Sequence, residues 1–501
     1  MRNTAFAAKA RWVYGAVFLA STILALTLEQ PSLASDRGVF VSMASALGQG
    51  LAPYGEVFDH KDPLTYALGA AFMLLLGGAG WFVADAVLVG SACVCVCAIA
   101  RALRLTTVQQ LLVVVAFGVV LLRAPALAGM AQTAGIAVLC AICLCCVLRQ
   151  PALCGALLGA LVLARLSLVP IGLGVFAIAL VGATPRGRLR AVIAASAVTV
   201  LGFLTLVALG AFPGYVGMIE LNLGYRAKVA QVVGNPDSPV STFLTLQRGW
   251  LDASSLPLLI AAGVGLVVVA VQVAVQRGSL RGLARRQPAL PVAGVVAVLG
   301  LAVLSATYVW EHHLQFMALP LALLIAAGLA PNRVLSRFAA LRYGYLLLVV
   351  VAIGAYALAL GSPYPRLEPS VNRLAWQSLD DSPTQRLVRT AVAERGAAEG
   401  LRLAVIGENN ELGVLEALSD DALLACRSFY QFPWMTHQLL EETAACVASD
   451  ANAVLLHPAA GVCLMDAACV AFRRSVAAEL ASDYVLRTAD RDSGWELWVR
   501  R

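Results

Sequence analysis

The sequence predicts a polytopic α-helical membrane protein of about 11–13 transmembrane helices with a small α/β domain at its C-terminal end. Three observations predict it. The chain has 501 residues, is 60% hydrophobic and 13% charged, and its mean hydropathy is +0.81. Soluble globular chains sit near 45–50% apolar and about 25% charged. Apolar runs long enough to cross a hydrocarbon core recur from residue 12 to residue 361. Beyond Ser362-Pro-Tyr-Pro the composition turns to that of a soluble chain.

The first apolar run, 12–28, follows Arg2, Lys9 and Arg11, a positive flank that places the N-terminus in the cytoplasm. Ser32-Leu-Ala-Ser35 imitates a signal-peptidase site, but the loop after it reads as tethered between two spans. Further runs lie near 64–80, 82–101, 106–122, 128–148, 151–183, 190–211, 254–276, 290–307, 314–331 and 343–361. The long run 151–183 contains Arg165 and Pro170. It either crosses once, for eleven spans, or forms two half-helices with another crossing elsewhere, for thirteen.

Basic loops orient the rest. Arg186, Arg188 and Arg190 form one; Arg277, Arg281, Arg285 and Arg286 a second; Arg333, Arg337 and Arg342 a third. With these in the cytoplasm, the 30–63 loop, the 212–253 segment, the turn at 308–313 and everything after 361 lie outside. Arg101, Arg104 and Arg149 then also fall outside, against the rule. The net charge of +7 is spread over short loops, which excludes a nucleic-acid footprint. Heavy Ala, Val, Leu and Arg usage suits a GC-rich bacterial genome, hence the inner (plasma) membrane of a bacterium.

The polar end divides at 361/362, giving a 1–361 membrane module and a 362–501 extracytoplasmic domain. Leu401–Gly407, Ala453–His457 and Trp495–Val499 read as strands, with amphipathic stretches at 382–398 and 436–448. Gly407-Glu-Asn-Asn lacks phosphate-loop spacing and reads as a strand-end turn. Of twelve cysteines, Cys93, Cys95, Cys97, Cys140, Cys143, Cys145, Cys146 and Cys154 lie in apolar runs and read as small hydrophobes. Cys426, Cys446, Cys463 and Cys469 lie in the outer domain, as two disulfides or four buried thiols.

One stretch cannot be lipid-facing. The 30–63 loop carries Asp36, Arg37, Glu56, Asp59, His60, Lys61 and Asp62 directly against apolar runs. Charge so placed points to a functional site. The chain has three lysines, Lys9, Lys61 and Lys228, so an ammonium at position 61 stands out. Asp36 suits a general base at the membrane lip, with Arg37 favouring its ionised form; it equally suits an N-cap of the helix opening at Gly38–Val39. His60 and Lys61 beside the helix start at Pro63 make a phosphate seat, or Lys61 snorkels to the interface while Asp59 and Asp62 match the helix dipole. Glu220, Tyr225, Arg226 and Lys228 either add cations over a phosphate or form a solvated face. Tyr308 and Trp310 fit an aromatic belt, and the neighbouring His312 and His313 point apart on a helix, which argues against a metal pair. Arg165 is the costliest isolated charge and lines a cavity or reaches an interface.

Asp36-Arg-Gly-Val-Phe-Val-Ser-Met-Ala-Ser-Ala-Leu-Gly-Gln-Gly50, Pro53-Tyr54 and Val57-Phe-Asp-His-Lys-Asp-Pro-Leu64 resemble the first outer loop of the glycosyltransferase C superfamily. The likeness is to bacterial relatives of dolichyl-phosphate-mannose protein mannosyltransferases and aminoarabinose lipid A transferases. It covers about thirty residues closely and the rest of the chain loosely. The resemblance implies a membrane glycosyltransferase that takes a sugar from a polyprenyl-phosphate donor and passes it to a lipid, glycan or protein acceptor on the outer face, in cell-envelope synthesis. It makes Asp36 the base for inversion and puts Lys61 at the donor phosphate, and the charges beside them add His60 and Arg37 as candidate phosphate ligands. Tyr54, Asp59, Arg226, His312 and His313 complete the candidate donor and acceptor site. The acidic pair of many relatives is Asp36-Arg37 here, and the Pro-Pro after the lysine is Asp62-Pro63. The first departure removes a metal ligand and favours a route with no cofactor, a divalent metal being the alternative. Two other classes compete: a lipid or sugar transporter using Arg165, although paired repeats are missing, and a non-catalytic partner in envelope assembly.

Overall fold

The structure, a computed structural model, describes residues 2–28, 36–48, 50–77, 79–122, 131–233, 256–275, 288–306, 315–331, 339–360, 383–395, 400–407, 422–428, 435–457, 467–492 and 494–501. Helices dominate up to residue 360. In chain order they are α1 (Arg2–Leu28), α2 (Asp36–Gly48), α3 (Pro63–Leu76), α4 (Ala79–Ala102), α5 (Thr107–Leu121), α6 (Ala131–Val147), α7 (Pro151–Ala164), α8 (Val169–Gly182), α9 (Pro185–Ala208) and α10 (Phe212–Val233). There follow α11 (Leu256–Val275), α12 (Ala289–Ala306), α13 (Ala318–Leu329) and α14 (Ala339–Leu360).

Local chemistry explains the helix starts. Pro63 opens α3 with Asp62 extended before it, the position where a missing N–H costs nothing. Thr106 and Gln109 form a capping box on α5, each side chain accepting from the other's backbone N–H at 3.4 and 3.0 Å.

Apolar faces on these helices need lipid. In α9 the mean hydropathy reaches 2.3, yet only 11% of that window is buried by the rest of the protein. A bare apolar face of that length is stable against hydrocarbon, not water. Among the described residues two helices, Gly80–Ala102 and Pro185–Ala208, are long and apolar enough to span alone, and eleven shorter apolar helices accompany them. By contrast α13 is buried at every position, as a helix apolar all round should be at a bundle centre.

The run 151–183 is not one continuous helix. Arg165 adopts an extended conformation (φ −164°, ψ 93°), a 3₁₀ turn follows over Leu166–Leu168, and α8 starts with Pro170 in its first turn. At 14 residues each, α7 and α8 reach about 21 Å, short of a 30 Å core. Of the two readings of this run, the half-helix pair is the one found. The segment expected as an outer loop from 212 is helical to 233, and 234–253 lies outside the described residues.

The chain forms two units, neither continuous in sequence. One comprises 1–30, 83–202 and 237–369; the other comprises 31–82, 203–236 and 370–501. In the first, α5, α11, α12, α13 and α14 share a core with α6, α7 and α8. The second joins α2, α3 and α10 with the C-terminal residues.

Those residues form α15 (Pro383–Arg395), β1 (Leu401–Ile406), β2 (Ala422–Leu424), α16 (His437–Ser449), β3 (Ala453–Leu456), α17 (Ala467–Asp483), β4 (Tyr484–Ala489) and β5 (Glu496–Arg500). The sheet order is β2-β1-β3-β5-β4. Strands β2, β1 and β3 are parallel, with Leu403 opposite both Leu424 and Ala453, and β5 runs antiparallel to β3 and β4. The three expected strands are present. Missed were β2, only three residues long, β4, a mostly exposed edge with one buried end, and α17. Gly407 follows the last residue of β1, and a Cβ there would lie 2.4 Å from the Trp495 ring. Cys426 and Cys446 are joined by a disulfide and Cys469 is also disulfide-bonded, while Cys463 lies outside the described residues. The eight cysteines of the apolar runs are free thiols.

Candidate functional site

The charged loop is built between α2 and α3 around a tight turn. Tyr54 N–H donates to Val57 O at 2.6 Å, and Ala52 N–H donates to Glu56 Oε2 at 2.6 Å. Tyr54 takes a left-handed φ of +62°, strain that a non-glycine residue keeps only where its surroundings hold it. They do so here. Its side chain is fully buried, its hydroxyl donates to Lys61 O at 2.6 Å, and its ring meets Tyr215 edge-on at 5.6 Å. Tyr215 lies on α10, which approaches so closely that a Cβ at Gly214 would fall 2.3 Å from Tyr54 O. Asn222, two turns along α10, donates to His60 O at 2.8 Å. Burial, with Asp62, Asp59 and Tyr215 adding, pushes the Tyr54 hydroxyl well above its ordinary range. The Tyr215 hydroxyl is raised too, by burial and then by Asp62.

Three consecutive charged or titratable side chains form a chain of contacts on this support. Asp59 is fully buried; Tyr66, one turn into α3, donates its hydroxyl to Asp59 Oδ2. Asp59 Oδ1 lies 2.9 Å from His60 Nδ1, and Lys61 Nζ lies 2.7 Å from His60 Nε2. The expectation that Asp59 merely matches a helix dipole is thus too small a role, since it grips the imidazole. Lys61 sits at the end of this chain, two residues before α3 begins.

Phe40 on α2 packs against α3 and the start of α4, its ring 6.3 Å from Tyr66 and 6.0 Å from Trp81. Asp36 occupies the position one helical turn before Phe40 and starts α2 itself, so the helix does not wait for Gly38–Val39 as the N-cap reading expected. The side chains of Asp36 and Arg37 lie outside the described residues, as does that of Arg226, whose backbone is in α10. His312 and His313 lie outside them altogether. Glu220 is exposed on α10. In the other unit Arg165 is buried, its guanidinium 5.9 Å from the Phe316 ring centre. No group of three metal-ligating side chains occurs among the described residues.

Two contributors escaped the sequence reading. Arg427, next to Cys426, accepts the Phe58 N–H on its carbonyl at 2.8 Å and lays its guanidinium 5.0 Å over the Phe58 ring. The guanidinium also pairs with Glu442 at 3.3 Å. The C-terminal domain therefore holds the loop directly. The other is Asn222, whose neighbours at 220–228 were noticed for charge while the neutral amide was not.

A helical body with apolar faces, a structured loop ending in a lysine before α3, and a small mixed sheet together make up a fold that solved structures share. The likeness is to the crystal structure of ArnT from Cupriavidus metallidurans bound to undecaprenyl phosphate, with a TM-score of 0.50 at 13% identity over 97% of both chains. The archaeal oligosaccharyltransferase AglB from Archaeoglobus fulgidus, in complex with an inhibitory peptide and a dolichol-phosphate, gives a TM-score of 0.45 at 12% identity, over 98% of this chain and 74% of AglB. No family model and no curated protein matches the sequence.

Proposed function

We propose that the protein is an inverting membrane glycosyltransferase that uses a polyprenyl-phosphate-linked sugar and an acceptor hydroxyl on the outer face of a bacterial inner membrane. The observation that carries the reading is the ammonium of Lys61, buttressed by His60 and Asp59 on a loop that α2 enters with Asp36. The ArnT likeness supports the fold on which such a loop sits, and ArnT itself holds undecaprenyl phosphate. In this reading the spans number eleven to thirteen and the C-terminal domain is extracytoplasmic.

Asp36 takes the proton from the acceptor hydroxyl as its oxygen attacks the anomeric carbon from the face opposite the phosphate. The bond between that carbon and the phosphate oxygen breaks, and the electron pair leaves with polyprenyl phosphate. The departing phosphate gains charge, so a cation held in place beforehand lowers the barrier by several kcal/mol, on the order of 2–4. Lys61 supplies that cation, with His60 and Arg37 as further candidates for the donor phosphate and Arg226 of α10 for the donor or acceptor. The acceptor is a lipid, glycan or protein of the envelope.

Asp36→Asn tests the reading. The variant should insert and unfold like the parent, bind undecaprenyl phosphate, and lose sugar transfer by at least about a hundredfold. Undiminished transfer by Asp36→Asn would remove the base, and with it the proposal.

A further inference from the structure

Two contacts of His60 are satisfied together by one tautomer of the neutral ring. A carboxylate only accepts and an ammonium only donates. With Asp59 Oδ1 2.9 Å from Nδ1, and Lys61 Nζ 2.7 Å from Nε2, the ring must carry its proton on Nδ1 and offer a bare Nε2 to Lys61. Tyr66 fixes the other Asp59 oxygen, and Asn222 fixes the His60 carbonyl. An ammonium has three N–H directions, so a hydrogen bond along one of them restricts the other two.

We propose that Asp59 and His60 are positioning residues for Lys61: the buried carboxylate selects the His60 tautomer, and the tautomer aims the ammonium at the carrier phosphate. The inference rests on the proposed role of Lys61 and deepens it. It also makes the seat sensitive to acid. A second proton on His60 occupies Nε2, ends the contact, and sets two cations face to face. The ring itself meets Asp59 and Lys61 on its own loop; the titratable groups of the neighbouring elements are Tyr66 of α3, on Asp59, Tyr54 of the loop, on Lys61 O, and Tyr215 of α10, on the Tyr54 ring, with the uncharged Asn222 on His60 O and Asp62 next in the chain.

Two amide substitutions separate aiming from mere packing. In His60→Gln the side-chain oxygen reaches the place of Nε2 and still accepts from Lys61, but it does not titrate. In His60→Asn the amide reaches only the place of Nδ1, keeping Asp59 satisfied and losing Lys61. Asp59→Asn, by donating to Nδ1, forces the opposite tautomer and turns an N–H toward the ammonium. The measurement is binding of undecaprenyl phosphate to the full chain in phosphatidylcholine nanodiscs between pH 5 and 8. The phosphate's own titration is common to all variants, so differences between them isolate the imidazole.

His60→Gln should bind within about threefold of the parent and show a flatter acid limb, whereas His60→Asn and Asp59→Asn should bind about tenfold or more weakly at pH 7.5. His60→Asn binding as well as His60→Gln, or an unchanged acid limb in His60→Gln, overturns the aiming role. Lys61→Met distinguishes this failure from failure of the underlying reading: if Lys61→Met binds like the parent, the lysine does not meet the phosphate and both fall. If His60→Gln fails to fold, Asp59→Asn binding like the parent refutes the proposal on its own.

Discussion

Substituting Gly214 with alanine should damage the loop without touching a charged residue. The added Cβ would lie 2.3 Å from Tyr54 O, 2.7 Å from its carbonyl carbon and 2.8 Å from its Cβ. Ordinary contacts of this kind start near 3.4 Å, so α10 and the loop must separate by about 1 Å, and the two nearest obstructing atoms are backbone. Overpacking of this kind costs about 1–3 kcal/mol. Alanine returns up to about 1 kcal/mol of helix propensity, less in a first turn such as this. The balance is a loss of about 1–2 kcal/mol. Gly217, on the same helix, has nothing within 4 Å of a Cβ, so Gly217→Ala should be neutral or slightly stabilising. Thermal unfolding in detergent, read by tryptophan fluorescence, measures both, and undecaprenyl phosphate binding reports the loop. Equal stability and equal binding for Gly214→Ala and Gly217→Ala would refute the claim that α10 clamps Tyr54, and with it the clamping of Lys61 O.

Alkali should loosen the same loop through Tyr54. Its hydroxyl titrates higher folded than unfolded, so the stabilisation is complete below about pH 10 and fades as pH rises above that. Tyr54→Phe should flatten this alkaline limb in a pH series of melting curves, at a cost of about 1 kcal/mol at neutral pH for the lost bond to Lys61 O. Joint replacement of Cys426 and Cys446 by serine removes a link spanning 20 positions, worth about 3 kcal/mol by chain entropy. It should lower the melting temperature by roughly 10 °C and, through Arg427 and Phe58, weaken phosphate binding as well. A stable variant with weakened binding would show the two effects to be separate. Chelation with excess EDTA should leave sugar transfer unchanged, since Arg37 stands where the resemblance of the loop leads one to expect a second acid; restoration by added Mg²⁺ or Mn²⁺ of activity lost to EDTA would contradict this.

Much of the membrane body was legible because partition into lipid sums over consecutive residues. The apolar runs at 106–122, 190–211 and 343–361 became α5, α9 and α14 with shifts of a few residues. The break at Arg165 was legible as an alternative only, since a charge and a proline mark a weak point without saying whether the helix bends or stops. In the C-terminal domain the buried strands β1 and β3 announced themselves by continuous apolar runs. The three-residue β2 and the exposed edge β4 carry too little local signal, and their pairing supplies what the sequence lacks.

Read alone, the chain is apolar enough over most of its length for lipid, is interrupted early by a charged loop, and marks Lys61 and Asp36 as the candidates there. Folding in space supplied the surroundings of that loop: Asn222, 162 positions from the His60 carbonyl it meets, Arg427 of the C-terminal domain on Phe58, and the contacts that run from Asp59 through His60 to the Lys61 ammonium. The physical reason is range. Hydrophobicity, turn chemistry and helix starts act between neighbours in the chain, whereas a carboxylate's role is set by the one or two groups that reach it in space.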